Sequence, residues 1–272
     1  MTRRPAVTLM EVLIAMFIMA IGMMALLALF PVGAVSMAQA LKDDRCASAA
    51  AIAENVAIIQ DIRHDATVSS SLLASQVVCV DPYGQLIGGL GALGGVIPRV
   101  TPAFITNDKN PTYAVDRWFS LPDGINFTDD AIPDTTSGFV DRDRRYTYAY
   151  MLRQIPTSAF VLAPSNLVQL YVVVYNGRPT SVLSLESSLG ATGTAGSNSI
   201  VVNSGATTIR RGGWILDTSS AAAGFFYRVT NLTESGSTTT VELQSNLMAN
   251  VTQVTIMDDV AEVFDKGTSW QP

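Results

Sequence analysis

The chain has 272 residues, of which 48% are hydrophobic and only 15% charged, with a formal net charge of −6. That length allows one domain of ordinary size plus an anchor, or two small domains. The acidic balance and scattered arginines argue against a nucleic-acid partner, because phosphate contacts need clustered Lys and Arg.

Residues 1–6 are short and basic, with Arg3 and Arg4. From Val7 to Val35 the chain is almost continuously apolar. As a helix this stretch spans roughly 40 Å, more than a hydrocarbon core of about 30 Å. By the positive-inside rule, Arg3 and Arg4 place the N-terminus in the cytoplasm and all that follows the helix outside the inner membrane. Three simpler readings compete. A cleaved signal peptide has an A-x-A site in Ala38-Gln39-Ala40, but the apolar run exceeds a signal core of about 7–15 residues. A twin-arginine signal is suggested by Arg3-Arg4, yet Pro5-Ala6-Val7 does not continue it. A plain anchor accounts for length and orientation but not for Glu11.

An ionisable group inside an apolar helix costs about 2.5–3.5 kcal/mol at the bilayer centre and less near an end, so Glu11 asks for a partner. Cleavage after Ala6 would leave a free amine on Val7, four residues before Glu11. In a bundle of identical helices that amine can meet the Glu11 carboxylate of a neighbour and set the register, the best-attested use of a buried ion pair.

The run Ala6-Val7-Thr8-Leu9-Met10-Glu11, followed by an apolar helix, resembles the processing site of type IV pilins and type II secretion pseudopilins. That family has a basic leader ending in a small residue, usually Gly, then an apolar residue, usually Phe, and a Thr-Leu-x-Glu core. Here Ala6 and Val7 stand at the first two positions, and Thr8, Leu9 and Glu11 carry the core. Ala20-Ile21-Gly22-Met23 looks like the helix of the minor pilin and minor pseudopilin subgroup. The resemblance covers residues 3–30. It implies cleavage between Ala6 and Val7 by a prepilin peptidase, N-methylation of Val7, and assembly with other pilin or pseudopilin subunits through Thr8, Leu9 and Glu11. It also implies a pilin-like α+β fold, with a long helix followed by an antiparallel β-rich exported domain.

Gly22 and Pro31 are expected to kink the helix, since Pro lacks an N–H and crowds the preceding turn. Residues 36–66 read as an amphipathic stalk, with Cys46, Ala49, Ile52, Val56 and Ile59 on one stripe. His64 sits near its end, where a His can meet the helix dipole. Cys46 and Cys79 match no zinc spacing, but an exported compartment permits a disulfide between them.

Residues 67–195 are expected to form the exported β-rich domain, and 196–272 a small β-subdomain or a continuation of the sheet. Strand patterns fall at Val77–Val80, Tyr146–Leu152, Leu167–Tyr175, Ser199–Val202, Gly213–Leu216, Phe225–Thr230, Thr239–Gln244 and Gln253–Met257. Tyr146, Tyr148, Tyr150 and Leu152 should share one face. Residues 184–198 and 217–223 read as Ser/Thr/Gly loops. Residues 104–145 read as one long irregular segment. Its Asp123, Asp129, Asp130 and Asp134 are weak calcium candidates that do not match an EF-hand, so a solvated loop is the plainer reading. The cluster 141–145 also reads as a solvated loop. Gly89-Leu90-Gly91-Ala92-Leu93-Gly94 is a literal G-x-G-x-x-G, but Pro98 and Pro102 spoil the helix that a dinucleotide site requires, which leaves a flexible glycine loop.

No catalytic motif and no cofactor are expected. The leading reading is a structural subunit of a type II secretion pseudopilus or type IV pilus, with secreted cargo as a further partner. The alternative is a membrane-anchored binding module or hydrolase that uses the helix only as an anchor. A glycan-binding variant stays open, since exposed Tyr and Trp on a β-domain can stack on sugars, although Trp118, Trp214 and Trp270 read more plainly as core or edge residues.

Overall fold

The computed structural model describes residues 9–135, 140, 142–155, 167–178, 186–203, 209–220, 223–257 and 259–268. Two compact units divide the chain, residues 1–45 and 46–272. Helix α1, Leu9–Ile59, contributes to both.

In the first unit α1 is helical at every described position, and every described side chain from Leu9 to Arg45 is exposed. Among the described residues it is the helix long and apolar enough to cross a membrane. The helix passes through Gly22 and Pro31, so neither residue ends it. A proline removes one backbone hydrogen bond, a defect that a long helix with sustained apolar propensity can carry.

In the second unit the rest of α1 packs through Cys46, Ala49, Ala50, Ala53, Val56 and Ala57, which are buried. The stripe is therefore mostly alanine, and Ile59 lies outside it, 72% exposed. Small side chains let a helix axis approach a sheet closely. The helix ends at Ile59, short of residue 66. Ile62 N–H donates to the Ala57 carbonyl at 3.1 Å, and Asp61 takes a left-handed φ of +44°. Asp65 then caps helix α2 (Ala66–Ser75), accepting from Thr67 N–H at 2.9 Å. Its other oxygen accepts from Ala103 N–H at 2.6 Å, holding a distant loop to the cap.

The first sheet has five strands: β1 (Val77–Val80), β2 (Arg99–Val100), β3 (Tyr146–Gln154), β4 (Val168–Asn176) and β11 (Val260–Asp265), in the order β11-β4-β3-β1-β2. The β1–β2 pair is parallel and the others antiparallel. Both faces are covered, which is why β1 reads as an unbroken apolar run and β3 is buried from Tyr146 to Leu152 on both its faces. One face carries Tyr148, Tyr150, Leu152, Val78, Val80 and Leu170 against α1, α2 and helix α4 (Pro111–Trp118). Met151, Cys79 and Val77 belong to the other face, with Leu216 and Met257 of the barrel.

That barrel is closed, with six strands: β5 (Glu186–Gly193), β6 (Ser199–Asn203), β7 (Trp214–Asp217), β8 (Phe226–Ser235), β9 (Thr238–Leu243) and β10 (Val251–Met257), in the order β10-β5-β6-β9-β8-β7. It has its own core, including Ile200, Val202, Tyr227, Val241 and Val254. Alternate residues of β6 and β9 point inward, as a filled small barrel requires. β5 lies within the stretch expected to be a loop. Its Ser and Gly residues show no apolar alternation, and it is held by its register with β10.

The two cysteines are reduced and not joined. Cys46 packs on the helix side of the sheet and the Cys79 side chain on the barrel side, so the two thiols face away from each other across the sheet. The segment 104–145 contains α4 and the end of a short helix α3 (Ala103–Thr106). The glycine loop is anchored rather than flexible: Leu93 and Ile97 are fully buried, and Gly94 packs on Thr218 at a φ of +59°.

Candidate functional site

Three places carry chemistry. The first is the start of α1. Ala6, Val7 and Thr8 lie outside the described residues. Leu9 is 80% exposed, and Glu11 is the acid in the first helical turn, where a carboxylate also complements the helix dipole. An otherwise apolar face surrounds it, from Met10 and Leu13 to Phe17.

The second place is a buried ion cluster that joins the sheet to the barrel. Asp81 follows β1, Arg99 lies on β2, Arg178 follows β4, and Glu186 opens β5. Arg178 grips Asp81 with two hydrogen bonds of 2.7 and 2.6 Å. Arg99 donates to both Asp81 and Glu186, and its Nε donates to the Gly91 carbonyl at 3.1 Å. Gly84 N–H donates to Asp81 at 2.9 Å. The Arg178 guanidinium lies 4.2 Å from the Tyr175 ring centre. Burial alone would raise the Asp81 carboxyl, but Arg178 and Arg99 overcome it and hold the group at about 2. Burial pushes the neighbouring Cys79 thiol up to about 12, so it stays protonated and unreactive. Two acids face two arginines, every partner is satisfied, and the arrangement acts as a clasp rather than a reaction centre.

The third place is a cleft of about 400 Å³ between the barrel exterior and the barrel-facing side of the sheet. Trp214 and Arg228 are paired neighbours on β7 and β8. With Phe226 they face Tyr171 on β4 and Val263 on β11, and the loop after β9 forms the rim. Tyr171 and Phe226 ring centres are 5.9 Å apart.

The calcium candidates do not converge. Asp123, Asp129 and Asp130 are exposed, and no group of three or more potential metal ligands occurs among the described residues. The stretch 142–145 is not simply solvated: Arg144 pairs with Asp116 at 2.8 Å, and Arg142 donates to the Leu121 carbonyl at 3.3 Å. His64 meets Asp61 at 2.7 Å on an exposed turn. Trp118 packs against the helix-side core, and Trp270 lies outside the described residues. Sequence reasoning missed the ion cluster and all of the cleft except Trp214. The usable signal was charge placed directly beside apolar strands, as at Asp81 and Arg99.

No family model and no curated protein matches the chain. Among solved structures it matches the phage phi92 endosialidase at 13% identity and a TM-score of 0.20, over 44% of this chain and 18% of that one. The chain thus spans under one fifth of that protein. A likeness this weak carries no argument about fold or activity.

Proposed function

We propose that the chain is a minor pseudopilin of a type II secretion system or a minor pilin of a type IV pilus. In this reading a prepilin peptidase cuts between Ala6 and Val7. The apolar part of α1 holds the subunit in the inner membrane, then packs against sister helices in a filament. The β-rich unit sits outside the membrane, where it meets other subunits or secreted cargo. Glu11 is the observation that carries the proposal. A carboxylate near the start of an apolar, exposed helix is a cost to a simple anchor and an asset to a helix that assembles. The basic leader and the Thr8-Leu9-x-Glu11 spacing support the same reading.

Mass spectrometry of the mature N-terminus tests the processing step. The expected product begins at Val7, with the amine methylated. A mature chain that begins at Met1, or just after Ala40, would contradict it.

A further inference from the structure

We propose that the aromatic cleft between barrel and sheet is a binding site for a neutral saccharide. This goes beyond the assembly reading and does not depend on it. The walls present Tyr171, Trp214, Phe225 and Phe226. Aromatic faces pack on the C–H faces of sugar rings while leaving the equatorial hydroxyls free to bond elsewhere. The volume lies within the roughly 300–1,000 Å³ of small-molecule sites.

The rim supplies those hydroxyl partners. Gln244, Ser245 and Asn246 are consecutive and exposed, and all three line the cleft. Their side chains make no hydrogen bond among the described residues. Amides and hydroxyls both donate and accept, as sugar hydroxyls do. The Trp214 indole N–H is buried and has no acceptor among the described residues.

The charges at the cleft each have a neighbour within the protein, with which an ionic ligand would compete. Arg228 stands 3.6 Å from Glu262. Asp265 accepts from Gln169 at 2.8 Å and from Gly267 N–H at 2.7 Å. What remains uncommitted is neutral, polar and aromatic, and a neutral sugar combines those properties.

The test is calorimetric titration of the full chain in a zwitterionic detergent, so that no sugar headgroup competes. The probes are the hexasaccharides of cellulose, chitin, starch and β-1,3-glucan, beside an oligogalacturonate and a Phe-rich peptide. The expected result is saturable binding of at least one neutral probe, with a Kd on the order of 0.1–1 mM. Trp214→Ala should weaken it by roughly tenfold or more, as loss of a central aromatic anchor does. Gln244→Ala and Asn246→Ala, at exposed positions where folding is not at risk, should each weaken it about threefold. Absence of binding by every neutral probe at about 10 mM would overturn the proposal. So would binding that survives both amide substitutions, or tighter binding of the oligogalacturonate or the peptide.

Discussion

Tyr150 donates its hydroxyl to the Ala53 carbonyl at 2.7 Å, a bond from the centre of the sheet to the middle of a helix turn, with both residues fully buried. The contact works because Ala49, Ala50 and Ala53 bring the helix backbone close to β3. Tyr150→Phe keeps the ring and removes the bond. The helix carbonyl can keep its own backbone partner, so the expected loss is about 1 kcal/mol, read as a lower denaturation midpoint with an unchanged slope. Ala53→Leu should cost more, about 1–3 kcal/mol, because it pushes helix and sheet apart.

Gly84 is the narrow point of the ion cluster. A Cβ there would lie 2.0 Å from the Arg99 guanidinium and 2.3 Å from the Asp81 carboxylate. Gly84→Ala should therefore push Arg99 and Arg178 away from Asp81, the acid that both of them grip. The expected cost is about 3–5 kcal/mol, the scale of breaking a buried pair. Thermal unfolding of the variant beside wild type checks this, and an unchanged Tm would contradict it.

The same cluster gives a pH signature. The Asp81 carboxyl sits below its ordinary 3.8, at about 2. The carboxylate thus contributes stability that is fully present above 3.8 and is lost as pH falls through about 2. Asp81→Asn should be less stable than wild type at neutral pH, with a gap that narrows across that window. Denaturation midpoints measured against pH for both proteins give the comparison.

Cys46 and Cys79 should both label with a thiol reagent once the chain is unfolded without reductant. In the native state labelling should be slow at both, since each is buried and the Cys79 thiol is raised to about 12. Failure to label after unfolding would restore the disulfide.

The parts of the fold legible in the sequence were those with local periodicity. The apolar run of α1 announces a helix long enough to cross a membrane, and the alternation Tyr146, Tyr148, Tyr150, Leu152 states its own burial. β5 was illegible, because Glu186–Gly193 owes its strand form to pairing with β10 rather than to its side chains. The clasp was illegible for another reason: Asp81, Arg99, Arg178 and Glu186 are far apart in the chain, and only the sheet topology brings them together. The stripe on α1 was displaced toward Ala50 and Ala53 because a close-packed helix prefers small residues to the larger Ile59.

Glu11→Ala tests the central claim most directly. Removing a carboxylate from a membrane helix should leave insertion as good as wild type or better. If Glu11 pairs with the Val7 amine of a neighbouring subunit, its loss strands that amine at a cost of about 3–5 kcal/mol on assembly. The measurement is co-purification of the membrane-inserted variant with its filament partners. The account predicts normal insertion, normal cleavage after Ala6 and loss of the partners. A variant that is recovered with its partners as fully as wild type would show that Glu11 is not an assembly contact and would leave α1 a simple anchor.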